Sequence, residues 1–303
     1  MLQRAIIILS LLPLISCGGG GGFFQGGIDA YAKGTNYAAS EMSVEEAYDN
    51  FRIALEENDA ISVMAEINHS NNAEAAGMGL PDSRIIFFGN PEMGTQLMQR
   101  NQVVGLDLPL RVLFYEKDEQ VVALFNSASY LERRYGLGGA SILDQISANL
   151  DGLVGNALDT EVVWGKSPDL RISQGIKTVK SSRDFSETYS ALKEILDNNS
   201  DIQIIAELDH QANAAEAGME MRPTKLIMFG NPNLGTPFMQ SAISAGLDLP
   251  QKMLVWEEGN GTVNISFNTP QFLQWRHGFK SLRTEMETMT TNLNDMAVTA
   301  AGL

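Results

Sequence analysis

The strongest constraint on this chain is that it contains much of itself twice. Laid without a gap over residues 202–250, residues 61–109 match at 23 of 49 positions. Unrelated segments agree far less often, so the chain carries an internal duplication. The frame shifts by one where EKDEQ faces EEGNGT, as expected of a tight turn that tolerates insertion. It then rejoins at FNSASYLERRYG against FNTPQFLQWRHG. Two copies favour a globular pair over a solenoid, which needs at least three repeats.

Both copies carry the same order of local signals. In SVEEAYDNFRIALEEN, Val44, Tyr48, Phe51 and Leu55 fall on one helical face, and Ser43 with Glu46 forms a capping box. Asp184, Phe185, Tyr189, Leu192 and Leu196 repeat the arrangement. The runs ISVMAEI and IQIIAEL read as strands, followed by short helices through NAEAAGM and its counterpart. Strands RIIFF and KLIMF come next, then a GNP turn and a short helix. RVLFYE with VVALFN, and KMLVWE with TVNISFN, read as closing hairpins. The expected fold class is α+β: two tandem copies of a small mixed-sheet domain, related by internal duplication, with helices packed on one face. An amphipathic helix trails each copy, striped by Ile142, Ile146, Leu150 and Leu153 in the first. In the second the stripe is Leu282, Met286, Met289, Leu293 and Met296. Packing against the chain's own domain is preferred for both, with a Met-rich partner groove as the alternative.

The amino terminus supplies an address. MLQR is followed by the apolar run AIIILSLLPL, too short to span a bilayer comfortably, and then by LISC. This order resembles the bacterial lipobox. The resemblance implies cleavage before Cys17, acylation of that residue, and lipid anchoring in a bacterial cell envelope. Gly18 rather than Asp after the cysteine implies the outer membrane, facing the periplasm. As the single cysteine, Cys17 excludes an internal disulfide and a Cys-x-x-Cys redox motif. GGGGGFFQGG then reads as a tether. The organisation expected is a signal peptide over 1–17, tether 18–39, first repeat 40–137, helix and linker 138–176, second repeat 177–280 and a terminal helix 281–303. A formal net charge of −16 disfavours nucleic acid and anionic lipid surfaces as general partners.

The polar motifs shared by the copies run from Glu66 to His69, through Gly77-Met78, Phe88 to Pro91, Gly94-Thr95 and Met98-Gln99, to Gly105 to Pro109. They recur from Glu207 to His210, through Gly218-Met219, Phe229 to Pro232, Gly235-Thr236 and Met239-Gln240, to Gly246 to Pro250. This series resembles the bacterial family called domain of unknown function 302. The resemblance implies small α+β domains that can pair, so that the two copies would form a dimer within one chain. No activity comes with it. The copies differ at Asn68 against Asp209 and at Tyr135 against His277.

Candidate site residues are Glu66, His69, Asn90, Thr95 and Asp107, with Glu207, His210, Asn231, Thr236 and Asp248 in the second copy. Glu66 ends a strand and His69 opens the next helix, so a turn sets their geometry, with Asn68 or Asp209 as helix cap. Two ligands per copy fall short of a catalytic zinc site. No cofactor is assigned, and a divalent metal, if one binds, would take Glu66, His69, Glu207 and His210. Asn90 and Asn231 precede a proline in the manner of helix caps, beside the Thr95 or Thr236 hydroxyl. Asp107 and Asp248 either form Asx turns before proline or pair with a neighbouring arginine. No nucleophile elbow, P-loop or dinucleotide loop is present. The preferred reading is a non-enzymatic ligand-binding or accessory lipoprotein with one cleft per copy, lined by the Glu-x-x-His, GNP and LDLP segments. The alternatives are an enzyme using the Glu/His pairs as acid and base, and a structural envelope protein acting through its Met-rich helices.

Overall fold

A computed structural model describes residues 32–280 and 282–303. Cys17, the apolar run before it and the glycine run after it lie outside the described residues. The first copy runs β1 (Thr35–Ser40), α1 (Val44–Glu56), β2 (Ser62–Asn68), α2 (His69–Ala75), β3 (Ser83–Gly89) and α3 (Pro91–Arg100). After a 3-10 turn (Gln102–Asp107) come β4 (Leu110–Lys117), β5 (Gln120–Asn126), α4 (Ala128–Tyr135) and α5 (Ser141–Leu158). The second copy repeats this as β6 (Ile176–Lys180), α6 (Phe185–Asp197), β7 (Gln203–Asp209), α7 (His210–Glu216), β8 (Thr224–Gly230) and α8 (Pro232–Ser241). A 3-10 turn (Ile243–Leu247), β9 (Gln251–Glu257), β10 (Val263–Asn268), α9 (Pro270–His277) and α10 (Arg283–Ala300) complete it.

Each copy forms a five-stranded antiparallel sheet, ordered β1-β5-β4-β3-β2 and β6-β10-β9-β8-β7. Alternation along the strands sends Ile86, Phe88, Val112, Phe114 and Val121 to one face, where α1 and α5 cover them. Ile67, Ile85, Phe87, Leu113 and Leu124 point the other way and meet Leu208, Leu226, Met228 and Leu254 of the second sheet. The result is four layers, helix–sheet–sheet–helix, with a shared apolar core between the sheets. Burial on both faces explains why antiparallel strands such as RIIFF read as unbroken apolar runs.

The sheets meet closely because glycine allows it. The 3-10 turn of each copy lies against the sheet of the other. A Cβ on Gly105 would stand 2.9 Å from Leu254 Cδ1, and one on Gly246 2.7 Å from Met239 Cε and 3.1 Å from Leu113 Cδ1. Gln99 donates to the Glu220 carbonyl at 2.8 Å, and its counterpart Gln240 to the Gly79 carbonyl at 3.0 Å. The Met-Gln and Gly-Leu motifs are thereby accounted for as contacts between copies.

The expected domain boundaries need correction. The tether was expected to reach residue 39, but β1 begins at Thr35 and pairs along its length with β5. TNYAAS is an edge strand of small and polar residues with little apolar signal, and IKTVK, equally unread, is an edge strand guarded by lysines. The trailing helices belong to the domains: α5 packs on α1 and α10 on α6. Met286, Met289, Leu293 and Met296 are buried there, so that methionine stripe is not a free groove for a partner. Among the described residues, no helix is long and apolar enough to cross a membrane.

Candidate functional site

The strand–helix junction sends the two residues of each Glu-x-x-His phrase apart. Glu66 stands opposite Ile86 in the ladder, on the helix-covered face, and its carboxylate accepts from Tyr48 of α1 at 2.5 Å. Glu207 likewise accepts from Tyr189 at 2.6 Å and pairs with Lys193 at 2.6 Å. His69 opens α2 toward the other copy, its Nε2 lying 3.2 Å from the Gly246 carbonyl. Asn68 caps that helix on the Asn71 amide at 2.8 Å, and Asp209 caps α7 on Ala212 at 3.0 Å. The acid–base pairs of the alternative reading therefore do not form, because positions three apart at a strand end leave opposite faces of the sheet. Nor do the four residues converge on a metal. Among the described residues, no three His, Cys, Asp or Glu side chains come together in a way that could hold one.

Asp107 and Asp248 are not cleft residues either. Both are wholly buried between the copies in a network of charges. Arg111 Nη2 donates to Asp107 Oδ1 and Asp248 Oδ1, each at 2.7 Å, and so bridges the copies. Arg134 meets Asp107 at 2.9 Å and Arg276 meets Asp248 at 2.8 Å. Each of these arginines crosses to the other copy: Arg134 reaches Asn268 at 2.7 Å, and Arg276 reaches Asn126. Tyr135 donates to Asp107 at 2.7 Å where His277 contacts Asp248 at 2.8 Å. The departure from Tyr to His keeps the same bond. Burial raises both carboxyls, but the surrounding guanidiniums outweigh it and hold them below the usual carboxylate range. Where the first copy has Arg111, the second has Lys252, also buried, donating to the Asp248 and Pro250 carbonyls at 3.1 Å each. Burial, together with Arg111, pushes this amine down to about 7. Of the two readings of Leu-Asp-Leu-Pro, arginine pairing is the one realised.

The remaining candidates do converge, in two related cavities of about 160 Å³ each. One is built on the first copy, with Asn90, Thr95, Leu108, Pro109 and, from α5, Asn149 and Leu150. His210 and Asn213 of the second copy complete its wall. The other is built on the second copy from Asn231, Thr236, Leu249, Pro250, Asn292 and Leu293, with His69 and Asn72 of the first. Each cleft therefore takes its GNP and Leu-Pro segments from one copy and its histidine from the other, a division the sequence reading did not foresee. Both Leu-Pro peptides are cis. A bulge in β2 and its repeat in β7 leave Met64 and Ile205 unpaired, and both line the cavities.

Four asparagines recur around each cavity: Asn58, Asn90, Asn149 and Asn213 in one, Asn199, Asn231, Asn292 and Asn72 in the other. Asn90 caps α3 through the Met93 amide at 3.0 Å, and Asn231 caps α8 through the Asn233 amide at 2.9 Å. Among the described residues, no protein group hydrogen-bonds the side chains of Asn72, Asn149, Asn213 or Asn292, or the Thr95 and Thr236 hydroxyls. Asn149 and Asn292 were missed by the sequence reading, although ANLDGL and TNLNDM share an Asn-Leu step on the helix face that covers each cavity. Burial lowers His69 and His210 to about 4, so both imidazoles are neutral at pH 7. The Gly246 carbonyl can only accept, which puts the His69 proton on Nε2 and leaves Nδ1 as an acceptor. His210 Nε2 is buried without a hydrogen-bond partner among the described residues.

Fold and cavities together define a tandem α+β protein whose two copies pair face to face and share the walls of two equivalent clefts. The chain belongs to the family described as domain of unknown function DUF302, which matches residues 36–157 and 177–297. It is 36% identical over 132 residues to the fluoride-specific ion channel FluC 1 of Brucella suis biovar 1 (strain 1330), covering 43% of this chain and 52% of that protein. The same identity and length hold for the fluoride-specific ion channel FluC 2 of Brucella melitensis biotype 1, of which 48% is covered. The chain thus spans about half the length of the curated relatives it matches. A crystal structure of an uncharacterized conserved DUF302 protein from Bacillus stearothermophilus aligns with 42% of this chain and 98% of its own. Its TM-score is 0.35 at 16% identity.

Proposed function

We propose that this protein is a non-catalytic small-molecule-binding protein with two sites, each closed by both copies, and that acylated Cys17 holds it in the bacterial cell envelope. One observation carries the binding reading. Gly94 and Gly235 sit inside α3 and α8 without positive φ, where glycine costs about 1 kcal/mol against alanine. Packing does not require them, since an added Cβ would meet nothing closer than 3.8 Å at Gly94 and 3.7 Å at Gly235. Both line the cavities. A side chain there would fill the space that the absence of one keeps open.

Gly94→Leu and Gly235→Leu are therefore expected to preserve or raise stability while each removes one site. A fragment-sized compound set, screened by ligand-observed NMR and followed by calorimetry, tests this. Two sites per chain should fall to one in either single variant and to none in the double variant. Undiminished binding in the double variant would refute the reading. Sodium fluoride belongs in the same titration, because the relatives' names concern that ion. The absence of a cationic side chain from the described lining of either cavity argues against a strongly hydrated anion, whose burial without a counter-charge costs several kcal/mol. The anchor is tested separately: Cys17→Ser should release the protein from the membrane fraction and abolish its labelling by radioactive palmitate.

A further inference from the structure

Building on that reading, we infer that the occupant of both cavities is an uncharged, ring-sized molecule carrying one hydrogen-bonding edge, such as a carboxamide or hydroxyl. The size follows from the space: about 160 Å³ per cavity, near the roughly 150 Å³ at which an apolar cavity accepts benzene. Phe88, Leu108, Pro109 and Leu150 give the first cavity an apolar body, as Phe229, Leu249, Pro250 and Leu293 do the second. A flat or compact hydrocarbon core matches such walls, since every buried CH₂ equivalent contributes about 0.8 kcal/mol.

The charge class follows from what the walls contain. Among the described residues, no Asp, Glu, Lys or Arg lines the cavity of the first copy, and the other has only Asp201, which is exposed. The histidines stay neutral, because burial holds them near 4. Among the described residues, the lining groups left without protein partners are, besides His210 Nε2, carboxamides and hydroxyls: Asn149, Asn213 and Thr95, mirrored by Asn292, Asn72 and Thr236. Each can donate as well as accept, so together they satisfy a neutral polar edge. They offer no counter-charge, and an ion stripped of water here would lose several kcal/mol that nothing returns. The overall charge of −16 further opposes anions at a distance.

Three isosteric probes test the inference on the full chain at pH 7.5 by calorimetry: benzamide, benzoate and benzylamine. Benzamide is expected to bind more tightly than either ion by at least about tenfold, which is 1.4 kcal/mol. Its binding should disappear in the Gly94→Leu/Gly235→Leu double variant. If benzoate or benzylamine binds as well as benzamide, and the double variant loses it, the uncharged class is wrong while the binding function stands. If none of the three binds at millimolar concentration but the fragment set still finds variant-sensitive ligands, the ring-sized occupant is wrong. Benzamide binding that survives in the double variant overturns both inferences.

Discussion

Lys252 offers the sharpest test of the buried network. It faces Asp107, Asp248, Arg111 and Arg276, and three guanidiniums already oppose two carboxylates there. An unfolded lysine keeps its proton to about pH 10.4, whereas the folded amine releases it near 7. Between those values the unfolded chain binds more protons, so raising the pH favours the folded state. Below pH 7 both states are protonated, and the full penalty of burying the ammonium is present. Each pH unit in the window is worth about 1.4 kcal/mol, for an upper bound near 5 kcal/mol. Lys252→Met keeps the stem volume and removes the charge, while leaving two carbonyls unsatisfied at roughly 1–3 kcal/mol each. Urea denaturation of both proteins at pH 6.5, 8 and 9.5 measures the difference. Wild type should gain on the variant by about 1.4 kcal/mol per unit between pH 7 and 9.5. A difference that stays flat across that range would mean that Lys252 is not a depressed amine, and the account of the network would fall.

Three other outcomes follow. Asp248→Asn leaves Arg111, Arg276 and His277 without their shared carboxylate and should cost about 3–5 kcal/mol in urea denaturation. Gly105→Val places atoms inside the 2.9 Å approach to Leu254 and should cost about 1–3 kcal/mol by overpacking between the sheets, read as a lowered melting temperature. Glu66→Gln keeps an acceptor for the Tyr48 hydroxyl and lies off both cavities. It should leave fragment binding unchanged and shift stability by less than about 1 kcal/mol, measured by calorimetry and denaturation.

What the sequence revealed depended on whether a signal was local. Val44, Tyr48, Phe51 and Leu55 announce a helix face because a period of 3.6 is set by neighbours in the chain, and all four are buried. The edge strands β1 and β6 were silent, since one side of each has no partner strand to demand apolar residues. At the site, the polar motifs pointed to the right turns but to the wrong company. Asn90 and Thr95 could be seen to share a helix start, whereas nothing in their spacing reveals that His210, 115 or more positions away, completes their cleft. That depends on how two sheets face each other. The separation of Glu66 from His69 was legible in principle, because an odd step at a strand end changes face.

The unequal pair Arg111 and Lys252 has a consequence for why the two copies share one polypeptide. Two separate chains of a single repeat, meeting about a true twofold axis, would carry the same residue at both places. Two arginines would then contend for the position from which Arg111 reaches both carboxylates, or two lysines would leave that bridge unmade. Joining the copies lets each position specialise, so that one cation spans the axis and the other retreats to backbone carbonyls. The same freedom extends to the clefts, whose histidines already differ in what holds them. Covalent linkage here is permission for asymmetry.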